Sequence, residues 1–210
     1  MRNRLPWMLS CCSLLFLSAG ASYAQFHRAE QTREITYWLL DPPTHQFRIS
    51  HDFTVDTPGQ KYVHSFVRTG SVVTDSSVYD VDAGKKLLAH EVTGKQVNEL
   101  HFYHDATPEE MVVVQAELLR PVREGETMRV RVVETYTDSE RYYMDGDELV
   151  WDRSLGRPRN VVKLPPGWML TSVSVPAVIS LDDDGLVSLR FTNPRTDTIA
   201  VVLKARRRQR

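Results

Sequence analysis

The sequence predicts an all-β protein, an antiparallel β-sandwich of many short strands behind an N-terminal signal peptide. Three observations predict it. Apolar and polar residues alternate in short runs, as in Met128-Arg129-Val130-Arg131-Val132, where the apolar side chains share one face and the arginines the other. Clusters of Gly, Pro and Asp separate these runs at short intervals. Past the leader, no segment sustains the 3.6-residue apolar period of a helix, which points away from the α/β enzyme folds.

The first 24 residues read as an address that is removed. Arg2 and Arg4 give a positive start, Leu9 to Leu17 an apolar core of about nine residues, and Ser22-Tyr23-Ala24 a small-residue cleavage site. The apolar run falls short of the roughly 20 residues that cross a bilayer, so no transmembrane segment is expected in the mature chain. Cleavage near Ala24 makes the protein exported, periplasmic or secreted. Cys11 and Cys12 both lie in this leader, so the chain from Gln25 onward has no thiol for a disulfide or a metal. An exported domain of this size must therefore be held by its core. The expected division is signal peptide 1–24, flexible lead-in 25–33, β-sandwich 34–205 and basic tail 206–210.

Charge narrows the class of partner. With the leader gone, 24 basic residues face 27 acidic ones, and five of the basic ones fall in the last seven positions. The body before that tail carries a net charge of about −8, which argues against a nucleic-acid surface. The tail itself reads as a solvated end.

In chain order, Ile35 to Leu40 is a first strand, stopped by Asp41-Pro42-Pro43. Phe47, Ile49, His51, Phe53 and Val55 then alternate with polar residues in the cleanest strand of the protein. His51 on that apolar face is expected to be a packed, hydrogen-bonded core histidine. Lys61 to Arg68 follows the turn Asp56-Thr57-Pro58-Gly59, and Val78 to Leu88 reads as a hairpin turning at Asp82-Ala83-Gly84. Val97 to Tyr103 is expected as a further strand. Met111 to Leu118 is expected to pair with Met128 to Tyr136 across the turn Arg123-Glu124-Gly125-Glu126, as a central hairpin. Leu149 to Trp151 is a short strand, and Arg153 to Asn160 a loop by its Gly and Pro. Met169 to Val175, Val178 to Leu181, Leu186 to Phe191 and Ile199 to Leu203 complete the set, with Asp182-Asp183-Asp184-Gly185 as a hairpin turn.

Two phrases carry a resemblance. Pro121-Val122-Arg123-Glu124-Gly125-Glu126-Thr127, leading into a strand, resembles a turn in the N-terminal β-sandwich domains of M1-type metallopeptidases. Leu164-Pro165-Pro166-Gly167-Trp168, with Ser172, the Asp182–Gly185 turn and the strand after it, is similar to the closing hairpins of those domains. Together they cover about half the mature chain. The resemblance implies an exported all-β domain of the bacterial kind. It does not carry the peptidase activity across, because the two His four apart with a Glu between them are missing here.

The search for chemistry turns up no nucleophile elbow, no mature Cys and no phosphate loop. His101, His104 and Asp105 form the best metal candidate, provided the chain turns there so that both imidazoles reach one ion. Glu148 and Asp152 could flank a glycosidic bond. Tyr142, Tyr143 and Trp151, beside Arg153, Arg157 and Arg159, combine aromatic area with hydrogen-bonding groups, as a binding surface does. The expected function is thus a non-catalytic binding or assembly module of the cell envelope. It needs no cofactor, and its partner is a protein, peptide or glycan. The alternative is a secreted hydrolase or metal-dependent enzyme at His101–Asp105 or Glu148–Asp152.

Overall fold

The computed structural model describes residues 33–101, 103 and 105–208. The leader, the lead-in before Arg33, His104 and the last two residues of the tail lie outside the described residues. Among the described residues no helix is long and apolar enough to cross a membrane, and none is a cysteine.

The chain is nearly all β. The first eight strands are β1 (Glu34–Leu39), β2 (Gln46–Val55), β3 (Tyr62–Phe66), β4 (Val72–Asp80), β5 (Lys85–Lys86), β6 (Ala89–Thr93), β7 (Val112–Glu117) and β8 (Met128–Thr137). The remaining seven are β9 (Tyr142–Asp145), β10 (Glu148–Leu155), β11 (Arg159–Lys163), β12 (Trp168–Val173), β13 (Val178–Leu181), β14 (Val187–Thr192) and β15 (Ile199–Arg207). A short helix, α1 (Gly94–Glu99), interrupts them.

One sheet organises the rest. It runs β13-β14-β11-β1-β2-β8-β4-β5, antiparallel except that β1 lies parallel to β11. Residues paired across a ladder share a face, so the registers trace rows of side chains across the sheet. One row is Leu189, Val162, Tyr37, Ile49 and Glu134. The next is Phe191, Asn160, Ile35, His51, Val132 and Val78. Two smaller sheets, β12-β15-β10-β9 and β3-β7-β6, cover this single face side by side.

Each cover makes its own core. Trp151, Tyr142, Leu203 and Ala205 pack on Tyr37, Phe47 and Phe191, with the Trp151 ring edge-on to Tyr37 at 5.2 Å. Each of the large apolar side chains, such as Leu203, Phe47 and Phe191, stabilises the fold by about 1.5–3 kcal/mol through burial. Val63 and Ala116 pack on Val55, Val130 and Val132 under the second cover. Met128, Val130 and Val132 face inward, as their alternation predicts. The hairpin at Asp82-Ala83-Gly84 also forms, with Gly84 in the left-handed region at φ 62.

Four expectations need correction. The central hairpin does not form, because β8 pairs with β2 and β4 while β7 pairs with β3 and β6 in another sheet. The turn before β8 therefore carries the chain from one layer to the other, and the two segments meet face to face in a core. Where a strand was expected from Val97 to Tyr103, Val97 to Glu99 instead belong to α1. Thr93 Oγ1 accepts from Gln96 N–H, and Gln96 Oε1 accepts from Thr93 N–H, so a capping box starts α1 there. A Cβ on Gly94 would sit 2.0 Å from the Pro108 carbonyl, so only glycine lets the helix start against that loop. Arg153 to Asn160 is not a loop throughout, since β10 runs to Leu155 and β11 begins at Arg159. The tail begins later than expected: Arg206 and Arg207 pair with Met169 and Trp168 as the end of β15. The antiparallel fold is as expected, with the β1–β11 pair as its one parallel ladder among the described residues.

A candidate binding cleft at the seam between the two covers

The polar members of the inward rows mark where the covers meet. Glu134 is fully buried, and its Oε2 accepts from Ser65 Oγ at 3.0 Å, tying β3 to β8. Burial raises the Glu134 carboxyl above its usual range. His51, one row away, is left half-buried beside a cleft of about 650 Å³. His51, Phe53 and Val55 of β2 form its floor. Val63, His64 and Phe66 of β3 line it, joined by Tyr103 from the loop after α1. Arg33 and Arg157 line it as well, as does one carboxylate, Asp56.

The wall is built by local contacts. His64 Nε2 is 2.9 Å from Gln115 Oε1, and its Nδ1 is 3.0 Å from the Tyr103 hydroxyl. The rings of Phe66 and Tyr103 meet edge to face at 5.3 Å. On the floor, the Arg33 guanidinium lies 5.9 Å over the Phe53 ring, a cation–π contact. Burial first, then the charges of Arg157 and Arg33, lower the His51 pKa to about 3, so its imidazole is neutral at ordinary pH. His51 Nε2 has no hydrogen-bond partner among the described residues. The histidine is packed as expected, but that nitrogen is not bonded.

β3 brings backbone to the cleft as well. It is an edge strand of the described sheet β3-β7-β6. The Lys61 carbonyl accepts from Leu118 N–H, and Val67 N–H donates to the Val112 carbonyl. Alternate residues of an antiparallel strand turn their N–H and C=O to the same side. The odd-numbered residues of β3 therefore face β7, and those of His64 and Phe66 face the open edge.

The residues singled out from sequence are not brought together. Tyr142 and Trp151 are 0 % exposed, in the closed core, with the Tyr142 hydroxyl donating to the Leu40 carbonyl at 2.6 Å. Arg153 is buried too, its guanidinium 4.8 Å over Phe47, 5.5 Å over Tyr136 and 3.8 Å from Asp138 Oδ2. No partner can reach these three. Trp151 and Arg153 face inward because β10 alternates, and Tyr142 of β9 follows because it pairs with Trp151 across the ladder. Tyr143 is half-buried on β9, Arg159 is exposed and pairs with Glu34 at 3.4 Å, and Arg157 alone lines the cleft.

The enzymatic candidates fare differently. Glu148 and Asp152 lie four residues apart on one strand, about 13 Å at the usual rise, beyond the spacing that flanks a glycosidic bond. Glu148 is occupied by Arg206, Lys204 and Thr171. His101 is exposed just past α1 with φ 50, and Asp105 is exposed as well, while His104 lies outside the described residues. Among the described residues, no group of three or more His, Cys, Asp or Glu is placed to hold a metal ion. The Asp182–Gly185 run is a hairpin turn, with Asp182 tied to Lys163, Arg190 and Ser180.

No family model matches the sequence, and no curated protein matches it. Solved structures to which it is similar include an M1 zinc metallopeptidase from Deinococcus radiodurans, at 12% identity and a TM-score of 0.47, over 85% of this chain and 43% of that one. Another is an aminopeptidase N family protein from Idiomarina loihiensis, at 12% identity and a TM-score of 0.45, over 82% of this chain and 29% of that one. The chain thus spans less than half the length of either. These are proteins of the family whose N-terminal β-sandwich domain the turn phrases resemble.

Proposed function

We propose that this protein is an exported, non-catalytic binding module of the cell envelope, which captures an extended peptide segment of a partner in the cleft along β3. The observation that carries the reading is the open edge of that strand. Backbone donors and acceptors at His64 and Phe66 stand beside an aromatic-lined cleft, and an added strand satisfies them while its side chains find pockets on either side. Aromatic walls and a small number of polar groups are the usual furniture of a ligand site. A peptide suits this better than a glycan, because a sugar ring cannot extend a sheet.

Proline at position 66 removes the outward N–H and leaves the ladder to β7 intact. Phe66→Pro should abolish capture of an envelope protein by the immobilised mature chain, and Phe66→Ala should weaken it, with both variants melting like the parent. Capture unchanged in Phe66→Pro, or capture of glycan alone, would move the site or change the class of partner. Export is checked separately by the mass of the secreted protein, expected to begin at Gln25; a retained leader contradicts it.

A further inference from the structure

The cleft has a polarity that the open edge does not explain. Its lining holds two guanidiniums, Arg33 and Arg157, against one carboxylate, Asp56, on a protein body that is otherwise acidic. Both arginines also make contacts within the chain, yet each guanidinium has five N–H donors in a fixed fork and can serve more than one acceptor. Their charge is felt inside the cleft, since both help to lower the pKa of His51. The neutral imidazole lines the same cleft without adding charge to it. Phe53, under Arg33, supplies an apolar floor next to this positive end, and Phe66 and Tyr103 extend the apolar wall. A cleft whose lining is net positive concentrates ligands of negative charge.

We propose that the peptide bound along β3 carries a carboxylate next to an apolar or aromatic residue, with the carboxylate received at Arg33 and Arg157 and the apolar group lying on Phe53. The carboxylate is that of an acidic side chain or of a chain terminus, the chemistry being the same. This rests on the peptide-capture reading above. Arginine suits the role because its planar fork meets both oxygens of a carboxylate at once.

The test uses N-acetylphenylalanine, which is anionic, and its neutral amide, each titrated into the full mature chain and followed by NMR. The anion should bind at least ten-fold more tightly than the amide, with shifts at Phe53, His51 and Phe66. Arg157→Gln should bring the two within about three-fold, Arg157→Lys should keep most of the preference, and Arg33→Gln gives a second, independent reading. N-acetylaspartate amide against N-acetylphenylalanine then separates the side-chain source from the terminal one. Equal binding of anion and amide, or a preference untouched by both glutamine variants, overturns the inference. An envelope partner captured through β3 without any carboxylate preference would sink this inference and leave the module reading standing. A carboxylate preference with no captured partner would do the reverse.

Discussion

The two ends of the long sheet's inward face are covered in different ways. Over β14, β11, β1 and the start of β2 the cover supplies Trp151, Tyr142 and Leu203, and the side chains beneath it, among them Leu189, Val162 and Phe47, are fully enclosed. The second cover, over β8 and the far part of β2, supplies Val63, Ala116 and Ser65; it encloses Val130 and Val132, but at its seam with the first cover His51 and Phe53 are only half-buried. Side-chain volume accounts for the difference. Large aromatic residues fill the space between layers, while Val, Ala and Ser leave a gap at the seam, and the inward face there turns polar. The first cover closes fully over its core, and the seam is left open to water.

Substitutions at the two ends should separate by several kcal/mol. Trp151→Ala at the closed end is expected to cost about 3–5 kcal/mol by emptying a packed site. Val130→Asp, under the second cover but away from the seam, should cost several kcal/mol by burying an unpaired charge. Arg153→Ala should cost about 3–5 kcal/mol, because it leaves Asp138 without its buried counter-charge. Phe53→Ala at the seam should cost only about 1 kcal/mol, since water already reaches the ring. Urea unfolding measures all four, and comparable losses for Trp151→Ala and Phe53→Ala would erase the distinction between the ends.

A smaller effect sharpens the comparison through pH. The folded state holds His51 down to about 3, whereas the unfolded chain takes up a proton near the ordinary histidine value of about 6.5. Its contribution to stability is therefore complete above about pH 6.5 and is lost as pH falls toward 3. His64, lowered chiefly by burial, works in the same direction. Glu134, raised chiefly by burial, works the other way: its contribution is complete below the ordinary carboxylate value and is lost as pH rises through its folded pKa. Subtraction of His51→Gln from the parent isolates the histidine. The variant should lose less stability than the parent between pH 6.5 and 4.5, and parallel curves would mean that His51 charges freely in the fold.

Local alternation was enough to read β2 and β8 correctly, because one buried face imposes a period of two on each. Pairing was harder. β8 follows β7 after a clear turn signal, yet the turn crosses between layers, and nothing local distinguishes a crossover from a hairpin. The start of α1 was written in Thr93 and Gln96, but Val97 and Leu100 read equally well as a strand. β11 hid behind Gly156 and Pro158, and its place beside β1 comes from a parallel pairing of distant segments. The expected binding surface failed at Tyr142, Trp151 and Arg153 because aromatic and arginine residues suit a core cation–π cluster as well as an interface. Arg157 was picked out and does line the cleft. Its companions His51, Phe53, Phe66 and Arg33 come from three separate segments, and only the gap between two covers brings them together.

On the proposed reading the open seam, and not the closed end or the outer face, meets the partner. A photoreactive benzoyl group placed at position 66 or 103 in the exporting cell tests it most directly, with Met169 on the edge strand of the closed cover and Arg48 on the outer face of β2 as reference positions. A discrete cross-linked envelope protein is expected from positions 66 and 103 and none from 169 or 48. Cross-links from the reference positions alone, or equal yield from all four, would contradict it.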